Sequence, residues 1–279
     1  MFKKILYGLS LVLLTLSCTE KIDIQLDEAQ TRLVVEGYLT NEAKEHVIRL
    51  TKSAPYFSNQ SAPLVEGATV TLYDGETNQT LTEKSPGMYV TPSDYAGHPG
   101  KTYQLTIVLA EPIADQTTFT ANCFMNEVIE TDSIGVEYHS DWGKGIWEIK
   151  WYAQEPLGDD FYLFKAFKND SAFADSIKNW VVFDDRFIDG NFTNGIGVKY
   201  FWKIRNQIIR PGDKITLQVC GISKEYQTYV EFTRRAVDYQ SPMFSGPPTN
   251  VPGNISNGAI GYFAAYAVSY ASTTYNQNP

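Results

Sequence analysis

Residues 102–109 read TYQLTIVL, and this stretch decides the fold class because apolar and polar side chains alternate along it. The tyrosine, both leucines and the isoleucine share one face of an extended chain, since successive side chains of a β-strand point to opposite faces. The turn-favouring sequence GHPG precedes the stretch at residues 97–100. The pattern therefore predicts a strand with one face in a core and the other in water.

The same alternation recurs in short segments across residues 30–125, and turn sequences such as Asp74-Gly75 separate them. Short strands at this spacing are typical of a β-sandwich. Residues 65–74, 87–89 and 100–105 resemble the carboxypeptidase-regulatory-like branch of the immunoglobulin-like sandwiches, which implies a spacer or a binding scaffold without catalysis. The seven predicted strands are residues 32–40, 47–51, 68–74, 79–83, 87–91, 101–109 and 117–124.

Residues 126–279 differ in composition, since they hold all five tryptophans, and they are predicted to form a second β-rich domain. Apolar residues recur at helical spacing ahead of Pro242, which predicts one amphipathic helix at about residues 223–240. A long loop at residues 243–257 follows the helix. The sequence thus predicts a mainly β protein, with an immunoglobulin-like β-sandwich followed by this second domain. Its predicted strands are residues 147–151, 161–168, 180–183, 198–204, 214–220 and 259–271.

The charge balance of the chain excludes one class of partner. There are 32 acidic and 23 basic residues, a formal net charge of −9, whereas nucleic acids are bound by clustered lysine and arginine. The sequence also lacks the motifs of zinc proteases, serine hydrolases, P-loop proteins and dinucleotide-binding enzymes. The three histidines are scattered, and we predict them at the surface. We therefore expect a non-enzymatic protein that has no cofactor and binds no nucleic acid.

The first residues of the chain have the organisation of a secretory signal peptide. In residues 1–17, two lysines precede an apolar run that is too short to span a bilayer. Residues 13–18, LLTLSC, resemble a bacterial lipobox, which implies cleavage before Cys18 and attachment of acyl chains such as palmitate to this cysteine. Several acyl chains on one residue anchor a protein stably to a membrane. An ordinary signal peptide followed by an incidental cysteine is the alternative.

This N-terminus predicts a lipid-anchored protein of the outer membrane of a Gram-negative bacterium, with residues 18–29 as a tether. Asp is absent from the second position after Cys18, so the segment does not resemble a signal for retention at the inner membrane. The sequence leaves open whether the protein faces the periplasm or the cell surface.

Short segments throughout the mature chain resemble a family of uncharacterised outer-membrane lipoproteins. Members carry a domain-of-unknown-function name and are typically encoded beside TonB-dependent receptors. The resemblance implies an accessory or binding component of a TonB-dependent uptake system. A stand-alone surface module that binds a glycan, a peptide or a protein, as an adhesin does, is the alternative. The segments are residues 33–41 (LVVEGYLTN), 67–70 (GATV), 212–213 (GD), 226–229 (YQTY), 252–255 (PGNI) and 261–263 (GYF).

Tryptophans are the candidate ligand contacts, because exposed indole rings stack on the flat faces of sugars and other ligands. Trp147 and Trp151 alternate with charged residues along a predicted strand, so we assign them to the core. The candidates that remain are Trp142, Trp180 and Trp202.

Oxygen-bearing side chains around Gly190 are the nearest approach to a metal site. Asp184, Asp185, Asp189 and Asn191 carry the oxygen ligands that calcium prefers. Their spacing differs from that of an EF-hand, so the sequence favours a solvated loop and no metal site.

Two cysteines remain once Cys18 is acylated. Cys123 and Cys220 are candidates for a disulfide, because an exported protein folds in an oxidising compartment. Two buried free thiols are the alternative, since a bridge requires Cα atoms within about 7 Å of each other.

Overall fold

A computed structural model describes residues 30–54, 60–141, 145–173, 176–237 and 250–277. The predicted signal peptide, Cys18, the 18–29 tether and Trp142 lie outside the described residues. Thr31–Pro279 form one compact unit, and Met1–Gln30, of which only Gln30 is described, are assigned to another. No helix within the described residues has the length and apolar character needed to cross a membrane.

The structure is mainly β, with several sheets and a single described α-helix, which confirms the predicted fold class. The helix is α1 (Lys224–Val237), and two 3₁₀ turns lie at Ile177–Asn179 and Lys203–Arg205. The first strands are β1 (Leu33–Thr40), β2 (Val47–Lys52), β3 (Thr69–Tyr73), β4 (Asn78–Thr80), β5 (Thr82–Ser85), β6 (Met88–Val90), β7 (Thr102–Ile113) and β8 (Gln116–Phe124). They are followed by β9 (Ser133–His139), β10 (Ile146–Tyr152), β11 (Phe161–Lys168), β12 (Ser171–Ala172), β13 (Val181–Asp184), β14 (Ile196–Trp202), β15 (Lys214–Ile222) and β16 (Ile260–Thr274).

The structure differs from the predicted strands in several places. The segment predicted as one strand at residues 79–83 is divided into β4 and β5, because Leu81 between them is buried and its N–H donates to the Val70 carbonyl. Strands β9 and β12 were not predicted. The latter has only two residues, whereas Ile134, Val136 and Tyr138 do alternate with polar residues along β9.

One large sheet joins the two parts of the chain. Its strand order is β12-β11-β15-β16-β1-β2-β6-β5, with β13 also paired to β11. At its centre β1 lies parallel to β16, while β2 and β15 flank this pair in antiparallel orientation. A four-stranded sheet (β4-β3-β7-β8) and a three-stranded sheet (β14-β10-β9) complete the fold.

The buried apolar side chains of the described residues form three clusters, and the large sheet contributes to all of them. One cluster of buried side chains comes from residues 33–125 together with Phe263 and Ala265 of β16. A second cluster comes from residues 134–275 and contains Trp147 and Trp151, as predicted for core tryptophans. A third lies beneath α1 and includes Tyr226, Val230 and side chains of β15 and β16. Because β16 contributes to the first and third clusters, the two parts share their central strand.

Two asparagine side chains extend the hydrogen bonding of β16 beyond its strand partners. The Asn41 amide accepts from the Val268 N–H at 2.8 Å and donates to its carbonyl. The Asn254 amide likewise accepts from the Phe263 N–H at 3.0 Å and donates to its carbonyl at 2.7 Å. An amide that accepts and donates in this way imitates a neighbouring strand, so both residues hold β16 in place. Both belong to the segments that carry the family resemblance.

The two buried cysteines are free, and no bridge joins them in the structure. Cys123 packs in the first core cluster, where its sulfur accepts from the Ala265 N–H. Cys220 lies opposite Val268 in the third cluster. Side chains alternate along β16, so the positions of Ala265 and Val268 place the two thiols on opposite faces of the sheet. Burial raises the pKa of the Cys123 thiol to about 11 and that of Cys220 to about 12.

Glycine is required where β16 begins beside β1. Gly261 has φ of +100°, a conformation that side chains with a Cβ rarely adopt. A Cβ at this position would also lie 2.0 Å from the Val35 carbonyl oxygen, inside the parallel pair. Gly258 shares the positive φ, at +74°, but has open space around its Cβ position.

These two glycines allow backbone strain to be separated from steric exclusion. We expect Gly258→Ala to lower the free energy of unfolding by about 1 kcal/mol through its φ alone. Gly261→Ala should cost at least about 3 kcal/mol, because the methyl group also pushes β16 away from β1. Denaturant unfolding of both variants measures the difference, and equal losses would contradict a close β1–β16 contact at this position.

Candidate functional site

Trp180 and Trp202, two of the predicted ligand contacts, line one cavity of about 150 Å³. Trp180 directly follows the first 3₁₀ turn and precedes β13, while Trp202 ends β14. Both side chains are half-buried. We call this space the tryptophan cavity. Its charged lining residues are Lys178, Lys199, Arg205 and Arg234.

The lining of the tryptophan cavity is positively charged. Among its described lining residues are two lysines and two arginines and no acidic residue, on a chain whose formal net charge is −9. The Arg205 guanidinium lies 5.9 Å from the centre of the Trp202 ring, within reach of a cation–π interaction. The Nε atom of Arg234 is buried and has no hydrogen-bond partner. The cavity therefore offers buried and exposed donors to an anionic group.

The local sequence explains how Arg234 reaches the tryptophan cavity. Helix α1 begins after Ser223, whose hydroxyl accepts from the Tyr226 N–H at 3.1 Å and caps the helix. Tyr226 and Val230 are buried and fix the apolar face of α1. Arg234 continues that face by one turn, so its side chain enters the cavity while the neighbouring Arg235 is exposed.

Lys199 is the deepest cation of the cavity, with 3% of its surface exposed. Its ammonium group donates to the Asn179 carbonyl at the end of the first 3₁₀ turn. The pairing of β14 with β10 changes register opposite Ile149 and Lys150, and Val198 and Lys199 are both buried beside this irregularity. Such an irregularity redirects side chains, which explains why simple alternation did not reveal Lys199.

Trp180 also borders a second space of about 220 Å³, whose lining includes four tyrosines. We call it the aromatic groove. Beside it, the Lys165 ammonium lies 4.2 Å from the centre of the Trp180 ring and 4.9 Å from that of Tyr38. Tyr38 is 40% exposed and stacks on Tyr266. The groove is lined by Glu36, Tyr38, Ile177, Trp180, Tyr226, Tyr229 and Tyr262, among others.

The predicted calcium candidates do not converge as a set, but one of them joins a different cluster. Asp184 forms an ion pair with Arg186, and the Asn191 side chain donates to the backbone carbonyl of Asp189. Asp185, 4% exposed, instead meets Glu155 and Asp160, with one carboxylate oxygen from each residue within 4.8 Å of the others. We call these three residues the acidic cluster. Asp189 is nearby, and its carboxylate accepts from the Gly158 N–H.

Burial raises the pKa values of two carboxyl groups in the acidic cluster. Glu155 is 1% exposed, and desolvation, together with the charges of Asp160, Asp185 and Asp189, raises its pKa to about 7. Desolvation and the same neighbouring aspartates raise the pKa of Asp160 as well. The Tyr162 hydroxyl donates to Glu155 Oε1 at 2.8 Å, while Oε2 has no hydrogen-bond partner.

In a second group of ionisable residues, Glu137, His139 and Glu148, both carboxylates are bonded to other side chains of the protein. Lys150 forms an ion pair with Glu137, and the Tyr200 hydroxyl donates to Glu148. His139 Nε2 lies 2.9 Å from the other oxygen of Glu148. The remaining histidines differ from each other: His98 is exposed, but His46 is buried and bonded to backbone carbonyls, so its predicted surface position is wrong.

The raised pKa of Glu155 predicts how stability depends on pH in a buffer without divalent cations. Between about pH 4.5 and pH 7 the folded protein retains a proton that the unfolded chain releases, so the stabilising contribution is complete at lower pH and is lost as pH rises to about 7. Glu155→Gln cannot ionise and keeps a similar shape. We expect its melting temperature to exceed that of the wild type by more at pH 8 than at pH 5. A difference independent of pH would contradict the perturbed carboxyl group.

The comparisons with known proteins identify a family without an assigned function. The sequence model described as domain of unknown function (DUF4249) matches residues 19–272. No match is found among the curated proteins. A solved structure titled "Cytokine receptor complex - Crystal form 1A" is similar at 10% sequence identity and a TM-score of 0.22, over 67% of this chain and 82% of that chain. A similarity at that level carries no argument about this chain.

Proposed function

We propose that this chain, which belongs to the domain of unknown function family DUF4249, is a non-enzymatic binding protein anchored to the outer membrane of a Gram-negative bacterium through Cys18. In this proposal it acts as an accessory component of a TonB-dependent receptor uptake system, and the tryptophan cavity binds its ligand or partner. The observation that carries the proposal is the convergence of four cations and two tryptophans on one cavity.

The chemistry of the tryptophan cavity favours recognition of an anionic group. Arginine presents several N–H donors in a fixed plane and binds carboxylate or phosphate groups in a fork-like geometry. Lys199 and the Nε atom of Arg234 are buried, so their interactions with an anion are screened less by water than those of surface cations. A carboxylate, sulfate or phosphate group of the ligand would therefore be held among these side chains.

The two tryptophans add a preference for a flat apolar surface next to the anion. Both indoles are half-buried, so each keeps part of its ring accessible beside the cations. Tryptophan and arginine are the residues that most often dominate the energy of protein interfaces. The ligand thus expected is a segment or small molecule with an anionic group beside an apolar face, such as an acidic peptide segment of a receptor or an acidic sugar.

The position of the tryptophan cavity agrees with separate roles for the first and second parts of the chain. Every described residue that lines it lies between Lys178 and Arg234, in the part that follows the predicted sandwich. The part from residue 30 to residue 125 follows the anchor directly and suits the role of a spacer. We therefore propose that the second part of the chain carries the contact with the receptor.

A stand-alone glycan-binding module is the second candidate function. The pair of half-buried tryptophans at one cavity favours it, because indole rings stack on the faces of sugars. The two candidates share the cavity and differ in what occupies it, so one experiment with two kinds of bait separates them.

Adjacent arginines on α1 provide a matched pair of variants. Arg234 lines the tryptophan cavity, whereas Arg235 is exposed and pairs with Glu231 at 3.8 Å. We expect Arg234→Gln to weaken retention of the receptor from a detergent extract of outer membranes by about tenfold or more, the effect of losing a charged hydrogen bond. Arg235→Gln removes the same charge and should leave retention unchanged. Raising the salt concentration should weaken binding of the wild type.

The outcome of that experiment decides between the candidates. Retention of a TonB-dependent receptor that depends on Arg234 supports the accessory role. Retention of an acidic polysaccharide without any receptor would replace that role with the solitary module. Equal binding by both arginine variants would remove the tryptophan cavity from the proposal.

The membrane anchor is tested separately by replacing Cys18 with alanine. We expect the variant to leave the outer-membrane fraction and to lack the acyl mass of the wild type, because the thiol is the attachment point. Fractionation of cells and mass spectrometry of the N-terminal peptide measure both effects. A variant that stays in the outer membrane with an unchanged N-terminal mass would contradict lipid anchoring.

A further inference from the structure

The acidic cluster shares no residue with the tryptophan cavity and has a separate chemistry. Glu155 follows β10, Asp160 immediately precedes β11, and Asp185 immediately follows β13. Two segments, the β10–β11 connection and the residue after β13, therefore bring carboxylates to one place, where one oxygen of each lies within 4.8 Å of the others. Glu155 and Asp185 are 1% and 4% exposed, and Asp160 is half-buried.

The negative charge of the acidic cluster is not balanced by any described cation. Within the part of the chain that the structure describes, no lysine, arginine or histidine forms an ion pair with Glu155, Asp160 or Asp185. The group formed by Glu137, His139 and Glu148 is different, since Lys150, His139 and Tyr200 bond to its carboxylates. Buried carboxylates are normally paired or bound to a metal, because removing an isolated charge from water is costly.

A second observation points to a missing ligand. The Oε2 atom of Glu155 is buried and has no hydrogen-bond partner, although the other oxygen of the same carboxylate accepts from the Tyr162 hydroxyl. A carboxylate can accept several bonds, and native proteins rarely bury such an oxygen without a partner. The unsatisfied oxygen belongs to the most deeply buried member of the cluster.

The surrounding backbone holds the acidic cluster in a fixed arrangement. The Asp160 N–H donates to the Asp185 carboxylate at 3.0 Å, and the Asp185 N–H donates back to the Asp160 carbonyl. The Glu155 N–H donates to the Asn191 carbonyl at 3.0 Å. The segments that carry the three carboxylates are thus tied to each other before any ligand binds, which lowers the cost of ordering them.

We propose that Glu155, Asp160 and Asp185 form a calcium-binding site. Calcium takes six to eight oxygen ligands at about 2.3–2.6 Å, so two ligand oxygens on opposite sides of the ion lie about 4.6–5.2 Å apart. All three oxygens of the cluster lie within 4.8 Å of one another, so one ion of this size can contact all of them. Waters complete the coordination. Zinc prefers nitrogen and sulfur ligands, which the cluster lacks, and magnesium demands shorter distances and usually retains most of its waters.

Bound calcium would remove the unfavourable electrostatic energy of the acidic cluster. The ion neutralises the mutual repulsion of the three carboxylates and satisfies the unpartnered oxygen of Glu155.

The experiment uses the full mature chain after treatment with a chelator and dialysis. Calcium and, separately, magnesium are titrated by calorimetry, and melting temperatures are measured with and without each ion. For the wild type we expect one calcium site and a rise in melting temperature of about 5–10 °C at calcium concentrations near 100 times Kd. Asp159→Asn is the matched control, because Asp159 is exposed, adjacent to Asp160 and outside the cluster.

Two variants test the assigned ligands. Glu155→Gln and Asp160→Asn should lose the calcium-dependent rise, whereas Asp159→Asn should keep it. Without calcium, Glu155→Gln should melt at or above the temperature of the wild type, which shows that it folds and that its loss of response is a loss of binding. A purely structural role for Glu155 would leave the calcium-dependent rise in place.

Three results would overturn the proposal. The first is the absence of calcium binding by the wild type at millimolar concentration in calorimetry and in melting temperature. The second is a calcium-dependent rise of equal size in Glu155→Gln and in the wild type. The third is a response to magnesium without a response to calcium. None of these results bears on the tryptophan cavity, because retention of a receptor by that cavity is measured independently.

Discussion

The parallel pairing of β1 with β16 is the interaction on which the rest of the structure depends. The first and last described strands lie side by side at the centre of a sheet that extends in both directions from them. Because β16 is fifteen residues long, it pairs with β1 along its first half, residues 260–266, and with β15 along its second half, residues 267–274. If the chain after residue 259 did not pair with β1, the first and third core clusters would lose the strand that contributes side chains to both.

The segments that carry the family resemblance are concentrated at this pairing. Residues 33–41 supply β1 and Asn41, residues 252–255 supply Asn254, and residues 261–263 begin β16. Gly253 also lies against this junction, since a Cβ there would be 2.4 Å from the Gly261 carbonyl oxygen. These residues are explained by close backbone approach and by amide groups that complete a strand. In this chain they therefore support the fold.

The distribution of charge separates two regions of opposite sign on one acidic chain. The tryptophan cavity gathers four cations, whereas the acidic cluster gathers three carboxylates without a described counter-charge. Both depend on elements that meet only in the folded chain, such as the end of α1 beside β14, or the ends of β10 and β13. Net charge predicted that nucleic acid is not a partner, but it contained no information about either region, because it sums over all charged residues and ignores where they lie.

Patterns of short range in the sequence were sufficient for the secondary structure. Alternation located most strands, and the apolar period ahead of Pro242 located α1, because side-chain direction repeats every two residues in a strand and about every 3.6 in a helix. The core positions of Trp147 and Trp151 followed from the same rule. Strand β9 was not predicted, although Ile134, Val136 and Tyr138 follow the same rule. The burial of His46 and Lys199 was not predicted either.

The sequence by itself therefore determined the mainly β class and the single helix, and it identified Trp180 and Trp202 as candidate ligand contacts. Only the tertiary structure decided that these two tryptophans share a cavity with Arg234, and that Asp185 meets Glu155 and Asp160 instead of Asp184 and Asn191. It also placed Cys123 and Cys220 on opposite faces of the sheet. The physical reason is that periodicity reports the direction of a side chain relative to its own strand, whereas a site depends on which strands become neighbours.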